Sequence, residues 1–162
     1  MTQGHASRRN ASEQARLDAA LTTLFEQQIH FNQLLGLKLL ASGAQGPTLR
    51  FDMRPELVGH HLYGRLHGGV ISATLDAMGG LALMWAIGEK HADEPASQVL
   101  QRYTKLGTID LRVDYLRPGL GKHFIASAEV LRLGGRVGTT QMRLVNDDAT
   151  LIATAAAAYV VS

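Results

Sequence analysis

The chain contains no cysteine, which removes disulfide scaffolds, thiolate zinc sites and cysteine nucleophiles together. Its longest basic run is Arg8-Arg9, and its formal charge of +2 comes from 16 Lys and Arg against 14 Asp and Glu. Nucleic-acid binding draws on several cations gathered into one patch, so no nucleic-acid partner is expected. A few scattered arginines still suffice for a small anionic ligand. The first twenty residues hold no apolar stretch of the kind a secretory signal needs, and a cytoplasmic location is the expectation. No Gly-x-Ser-x-Gly elbow occurs. The Gly119-Leu120-Gly121 turn opens no helix and is no dinucleotide fingerprint. No internal repeat or low-complexity linker divides the chain.

What is present is a 162-residue chain with 46% hydrophobic and 19% charged residues, enough for one compact domain with a real core. Residues 1–12 are polar and read as a flexible N-terminus, with a single domain over 13–162. From about Ser12 to Leu35 the apolar positions Leu17, Leu21, Leu24, Phe25, Ile29 and Phe31 fall mostly at helical spacing, and Gly36 is a stop signal. Residues 37–53 read as two short strands broken over Ser42 to Pro47, and strict alternation marks Thr48–Met53. Val58–Leu66 reads as a loop rich in Gly and His.

Val70 to Gly88 is apolar nearly all round, with Asp76 the only charge between His67 and Glu89. A helix apolar on every face is normally buried. Its length approaches a membrane span, but the central Asp76 and Gly79-Gly80 argue against membrane insertion. A charged connection over 89–107 carries a short helix near Ser97–Lys105. Four strands follow: Thr108–Leu116, Lys122–Leu133, Arg136–Asn146 and Thr150–Val161. In the first, Ile109, Leu111, Val113 and Tyr115 share one face, and Thr108, Asp110, Arg112 and Asp114 the other. Gly134-Gly135 forms a hairpin loop and Asn146-Asp147-Asp148 a turn. The alanine run in the last strand has helical propensity, which its place in a hairpin series overrides. Segregated helices and strands define an α+β class.

Chemistry points to Asp76. A lone carboxylate in an apolar helix costs several kcal/mol unless paired or hydrogen-bonded. Positions 69, 72, 73, 76, 79, 80 and 83 share its face, and the small residues among them leave room for a substrate or a close partner helix. His67-Gly68-Gly69 opens the same helix, where unpaired N–H groups and the helix dipole stabilise a developing oxyanion. Gly69 and Asp76 are seven residues apart, about 10 Å along one helix, too far to serve one carbonyl carbon. An antiparallel two-fold pairing of helices would bring Asp76 of one chain to the glycines of the other. A homo-oligomer, dimer or tetramer, with shared active sites is therefore expected.

The stretch LHGGVISATLDAMGG, residues 66–80, resembles the hotdog-fold thioesterases of the phenylacetate-pathway (PaaI-like) type. So do GTIDLRVDYLRPG, residues 107–119, and the hairpin around Leu131–Arg136. The similarity extends over roughly residues 30–162, and is greatest to a bacterial subgroup regarded as medium- to long-chain acyl-CoA thioesterases. It implies a hotdog fold, with a long central helix wrapped by a curved antiparallel β-sheet and two units joined in one continuous double sheet. It also implies acyl-CoA as substrate and no metal or organic cofactor. By the resemblance Asp76 is the catalytic carboxylate, general base or nucleophile, Gly68 and Gly69 polarise the thioester carbonyl, and His67 shapes their loop. Thr108 falls where relatives place a Ser or Thr that helps position water. Where relatives carry a loop Asn or Gln, this chain has His60 and His61. Arg117, Arg132 and Arg136 are candidates for the phosphates of coenzyme A.

Three other readings compete with this one. A hotdog dehydratase or hydratase uses a His and an acid across the dimer, but the His-Phe-Pro pattern of the fatty-acid dehydratases is absent. A non-catalytic acyl-CoA sensor needs no helix Asp and usually carries a DNA-binding segment, whereas the N-terminal helix here has no basic recognition face. A metal at His60, His61, His67 and Asp76 is disfavoured, because two adjacent loop histidines rarely serve one tetrahedral site.

Overall fold

The computed structural model describes residues 8–43 and 46–162. The expected flexible N-terminus thus lies outside the described residues over 1–7, as do Ala44 and Gln45 of the expected strand break. Residues 8–12 are among those described. Asn10 caps helix α1 (Ala11–Thr23) by accepting from the Glu13 N–H at 2.9 Å, a cap worth about 1 kcal/mol. Arg9 donates to the carbonyl oxygens of Gly88, His91 and Glu94, tying the N-terminus to the far end of the central helix.

The continuous helix expected from Ser12 to Leu35 is broken. A π-helical turn at Leu24–Gln28 follows α1, Ile29 adopts extended backbone, and a short α2 (His30–Leu35) restarts. The break turns the chain while keeping Phe25 and Leu35 in the core. Gly36 ends α2 at φ 72°, the left-handed cap glycine adopts without a Cβ penalty.

Strands β1 (Lys38–Gly43) and β2 (Gly46–Asp52) form a hairpin. The segment expected as a plain loop over 58–66 contains a two-stranded ribbon, β3 (Val58–His60) with β4 (Arg65–Leu66). Helix α3 (Gly68–Lys90) follows, then α4 (Ala96–Tyr103). The remaining strands are β5 (Gly107–Tyr115), β6 (His123–Leu133), β7 (Val137–Asn146) and β8 (Leu151–Val160). The main sheet is wholly antiparallel with order β1-β2-β6-β7-β8-β5. The β6–β7 hairpin tip is Gly135-Arg136, one residue beyond the expected pair, because Gly134 donates to the Val137 carbonyl and closes the ladder there.

Helix α3 lies on one face of this sheet. Its Leu75, Met78, Leu81 and Leu83 are fully buried against Leu49, Phe51, Phe124, Met142 and Leu144. It is long and apolar enough to cross a membrane, but it is the core helix of this fold, two-thirds buried over its most apolar window. Strand β8 supplies a thin inner surface: Ala153, Ala155 and Ala157 alternate inward, followed by Tyr159. This long helix on a large antiparallel sheet is a hotdog fold.

Candidate active site

The helix cap is built by its own first residues. His67 is the N-cap of α3, and its Nδ1 accepts from the Gly69 N–H at 2.9 Å. Its own N–H donates to the Leu57 carbonyl at 2.9 Å, so the segment before β3 fixes the entry into the helix. Of the two glycine N–H groups expected to stand open, that of Gly69 is therefore occupied. The Gly68 N–H has no acceptor among the described residues. Tyr115 donates from Oη to the Gly68 carbonyl oxygen at 3.1 Å. The peptide between Gly68 and Gly69 is thus held at both ends, its oxygen by Tyr115 and its N–H by His67.

Asp76 is half-buried two turns further on. Thr108 donates from Oγ1 to its Oδ1 at 2.8 Å. Tyr159 Oη lies 2.9 Å from the Asp76 carbonyl oxygen and 3.3 Å from Oδ1, one hydroxyl proton shared between them. Oδ2 accepts no hydrogen bond among the described residues. Burial first, then the Asp76 carboxylate, hold the Tyr159 hydroxyl far above the usual phenol range, so it remains a donor.

Thr108 reaches Asp76 through a departure from simple alternation. Thr108 pairs with Tyr159 and Asp110 with Ala158, so Ile109 is an extra residue, a β-bulge. The bulge turns Thr108 onto the inner face with Leu111, Val113 and Tyr115, and pushes Ile109 out to 54% exposure. The face assignment expected for Ile109 and Thr108 is reversed for this reason. A second expectation also changes. Gly79 does not leave space for a substrate: a Cβ there would collide with Tyr159 Oη and stand 2.8 Å from Thr140 Oγ1. Its missing side chain makes room for the tyrosine that holds Asp76.

His60 and His61 sit in and just after β3. Their rings stack at 5.7 Å, Tyr63 lies 4.7 Å from His60, and the buried His60 Nδ1 has no partner among the described residues. No cluster of metal-ligating residues occurs among the described residues. Arg117 donates to the Leu151 carbonyl at 3.0 Å, two residues before Gly119, which packs on Leu66 beside the start of α3. Arg132 and Arg136 belong to the β6–β7 hairpin, whose Leu133 and Gly135 line a cavity with Lys90 at the other end of α3. A 23-residue helix separates those ends by roughly 30 Å, so one chain does not gather the three arginines.

Sequence reasoning missed Tyr159 and Tyr115 as site residues. Only Tyr159 left a signal, as the one polar-tipped side chain ending a run of alanines, since a buried phenol requires a partner.

The central helix of this hotdog fold thus carries a free N–H at its N-terminus and, two turns on, a carboxylate held by Thr108 and Tyr159. Residues 63–153 match the profile of the Thioesterase superfamily, and the chain belongs to that family. It is a thioester hydrolase. It is 39% identical over 138 residues to a medium/long-chain acyl-CoA thioesterase, YigI, of Salmonella typhimurium, covering 85% of this chain and 89% of that one. The Escherichia coli protein of the same name is 38% identical with the same coverage. A crystal structure from Shewanella oneidensis, described as related to the thioesterase superfamily, superposes with a TM-score of 0.87 at 37% identity, over 94% of this chain and 99% of that one.

Proposed function

We propose that the protein is a cytoplasmic acyl-CoA thioesterase that hydrolyses medium- or long-chain acyl-CoA to free acid and coenzyme A at sites shared between two subunits. The observation that carries this reading is the Thr108–Asp76–Tyr159 arrangement, which pins one carboxylate oxygen and leaves the other free. Asp76 Oδ2 takes a proton from water as the water oxygen adds to the thioester carbon. The resulting oxyanion is stabilised by the Gly68 N–H and the α3 dipole. The carbon–sulfur bond then breaks, and the thiolate leaves with the proton returned through Asp76.

Asp76 and Gly68 of one chain lie about 12 Å apart along α3, so a partner's Asp76 completes the site. Strand β5 supports the pairing. It is a sheet edge, paired among the described residues only to β8, and its residues 107–110 are exposed. A long bare edge of this kind invites a second strand, and joining two β5 edges antiparallel carries the two α3 helices alongside each other. His67 orders the glycine peptide, and His60 or His61 supplies the polar group that faces the site from the β3 side. Arg117 is the phosphate contact nearest the start of α3. Arg132 and Arg136 would reach a coenzyme A only from another subunit.

The test is hydrolysis across acyl-CoAs of short, long and aromatic acyl groups, comparing wild type with Asp76→Asn. A loss of roughly 10²-fold or more in kcat, with folding and assembly intact, supports Asp76 in the chemical step. Binding of acyl-CoA without turnover by the wild type would replace this reading with that of a sensor.

A further inference from the structure

Beside the start of α3 lies an apolar cavity of about 390 Å³, within the range of roughly 300–1,000 Å³ usual for small-molecule sites. His67, Gly69 and Val70 at the start of α3 line it, together with Leu57 and Val58. One side is α2, which turns Phe31 and Leu34 toward it. These residues, three apart and so on one helix face, are 56% and 63% exposed. Exposed large apolar side chains gathered at a concavity mark a binding surface. Arg54 and Glu56 are the charged residues among its lining, and Arg54 donates to the Leu34 carbonyl oxygen near the C-terminal end of α2. That bond satisfies a carbonyl left over at the helix terminus and holds the α2 wall in place.

We propose that this cavity receives the acyl chain of the substrate, with Phe31 and Leu34 setting the preferred length. The inference rests on the thioesterase reading for the reacting group, and on geometry for the chain. A carbonyl oxygen bound at the Gly68 N–H places its carbon substituents next to Gly69 and Val70, which already belong to the cavity. Coenzyme A is polar and anionic, so an apolar recess suits the acyl side of the thioester. The π-turn and the Ile29 break have a consequence here: a continuous helix from Ser12 would carry Phe31 and Leu34 past the start of α3 instead of alongside it.

The experiment measures kcat/KM for acyl-CoAs from butyryl to palmitoyl in the wild type and in Leu34→Trp, whose exposed position tolerates the change. Each added methylene raises wild-type kcat/KM about fourfold until the cavity is filled. Leu34→Trp fills the recess early, lowering kcat/KM for long chains by at least about tenfold while butyryl-CoA stays within about twofold. Equal losses at every length, or a slope that Leu34→Trp leaves unchanged, overturn the assignment. A parallel measurement of butyl- and dodecyl-CoA thioether binding separates the two readings. No hydrolysis, but tighter dodecyl binding that Leu34→Trp abolishes, keeps the cavity and overturns the thioesterase reading. Hydrolysis with no length dependence in either assay keeps the thioesterase and overturns the cavity.

Discussion

Gly68 carries the smallest side chain at the site, and its N–H is the atom on which the proposed chemistry turns. It stands at the first helical position, where proline is well tolerated because the missing N–H has no intrahelical acceptor. His67 before it has φ −64° and ψ 137°, the extended geometry a following proline requires. A Cβ at Gly68 meets its nearest neighbour, Tyr115 Cε1, at an ordinary 3.5 Å. Gly68→Pro therefore removes the donor and sets its ring Cδ where the N–H pointed, while the backbone of the cap keeps its geometry. Its kcat is expected to fall about 10²- to 10³-fold, with the thermal midpoint near that of the wild type. A folded Gly68→Pro protein with full activity would move the oxyanion site elsewhere.

At the scale of elements, the turn between α1 and α2 is tied to the sheet edge by Glu26. Its carboxylate accepts from the Leu39 N–H on β1 at 2.9 Å and pairs with Lys38 at 2.9 Å. Burial raises its pKa, but the Lys38 ion pair and the Leu39 N–H outweigh that, and the net effect is below the usual glutamate value. A carboxyl whose folded pKa is depressed stabilises the fold above its unfolded pKa and loses that contribution as pH falls through the folded one. The wild type should therefore lose stability below about pH 4.3 faster than Glu26→Gln, measured by urea unfolding at pH 7 and at successively lower pH. Parallel curves for the two proteins would remove Glu26 from the acid response. Since α2, which follows this turn, forms one side of the proposed acyl cavity, the same variant tests whether loosening this corner alters chain-length preference.

The whole molecule is where the two halves of the chemistry meet. If sites are shared, Asp76→Asn and Gly68→Pro damage different halves, and a mixed dimer keeps one intact site made from the undamaged half of each chain. Unfolding and refolding the two variants together at equal concentration makes about half the dimers mixed, each with one of two sites working, so about a quarter of wild-type activity should return. Activity no greater than the sum of the separate variants would place both groups of a working site in one chain.

Much of this architecture was legible in the residue order. Asp76 alone in an apolar helix, His67-Gly68-Gly69 at its start and alternation in the later strands are local signals whose physical meaning survives in any compact context. The alanine run of β8 shows why local signals are not always enough. Its helical propensity amounts to tenths of a kcal/mol per residue, and pairing with β7 on one side and β5 on the other overrides it. Other features had no local signature. A bulge at Ile109, which brings Thr108 to Asp76, is a property of two strands whose lengths differ by one residue. The fit of Tyr159 over Gly79 depends on side chains 80 residues apart. The occupied N–H of Gly69 depends on a His67 rotamer, and the cavity beside the start of α3 on a π-turn that redirects α2. Residue order alone marks the groups able to do the proposed chemistry, because charge, size and backbone freedom belong to single residues. Which of them meet is settled by the fold, because distance across it is set by register, packing and turns that no short stretch contains.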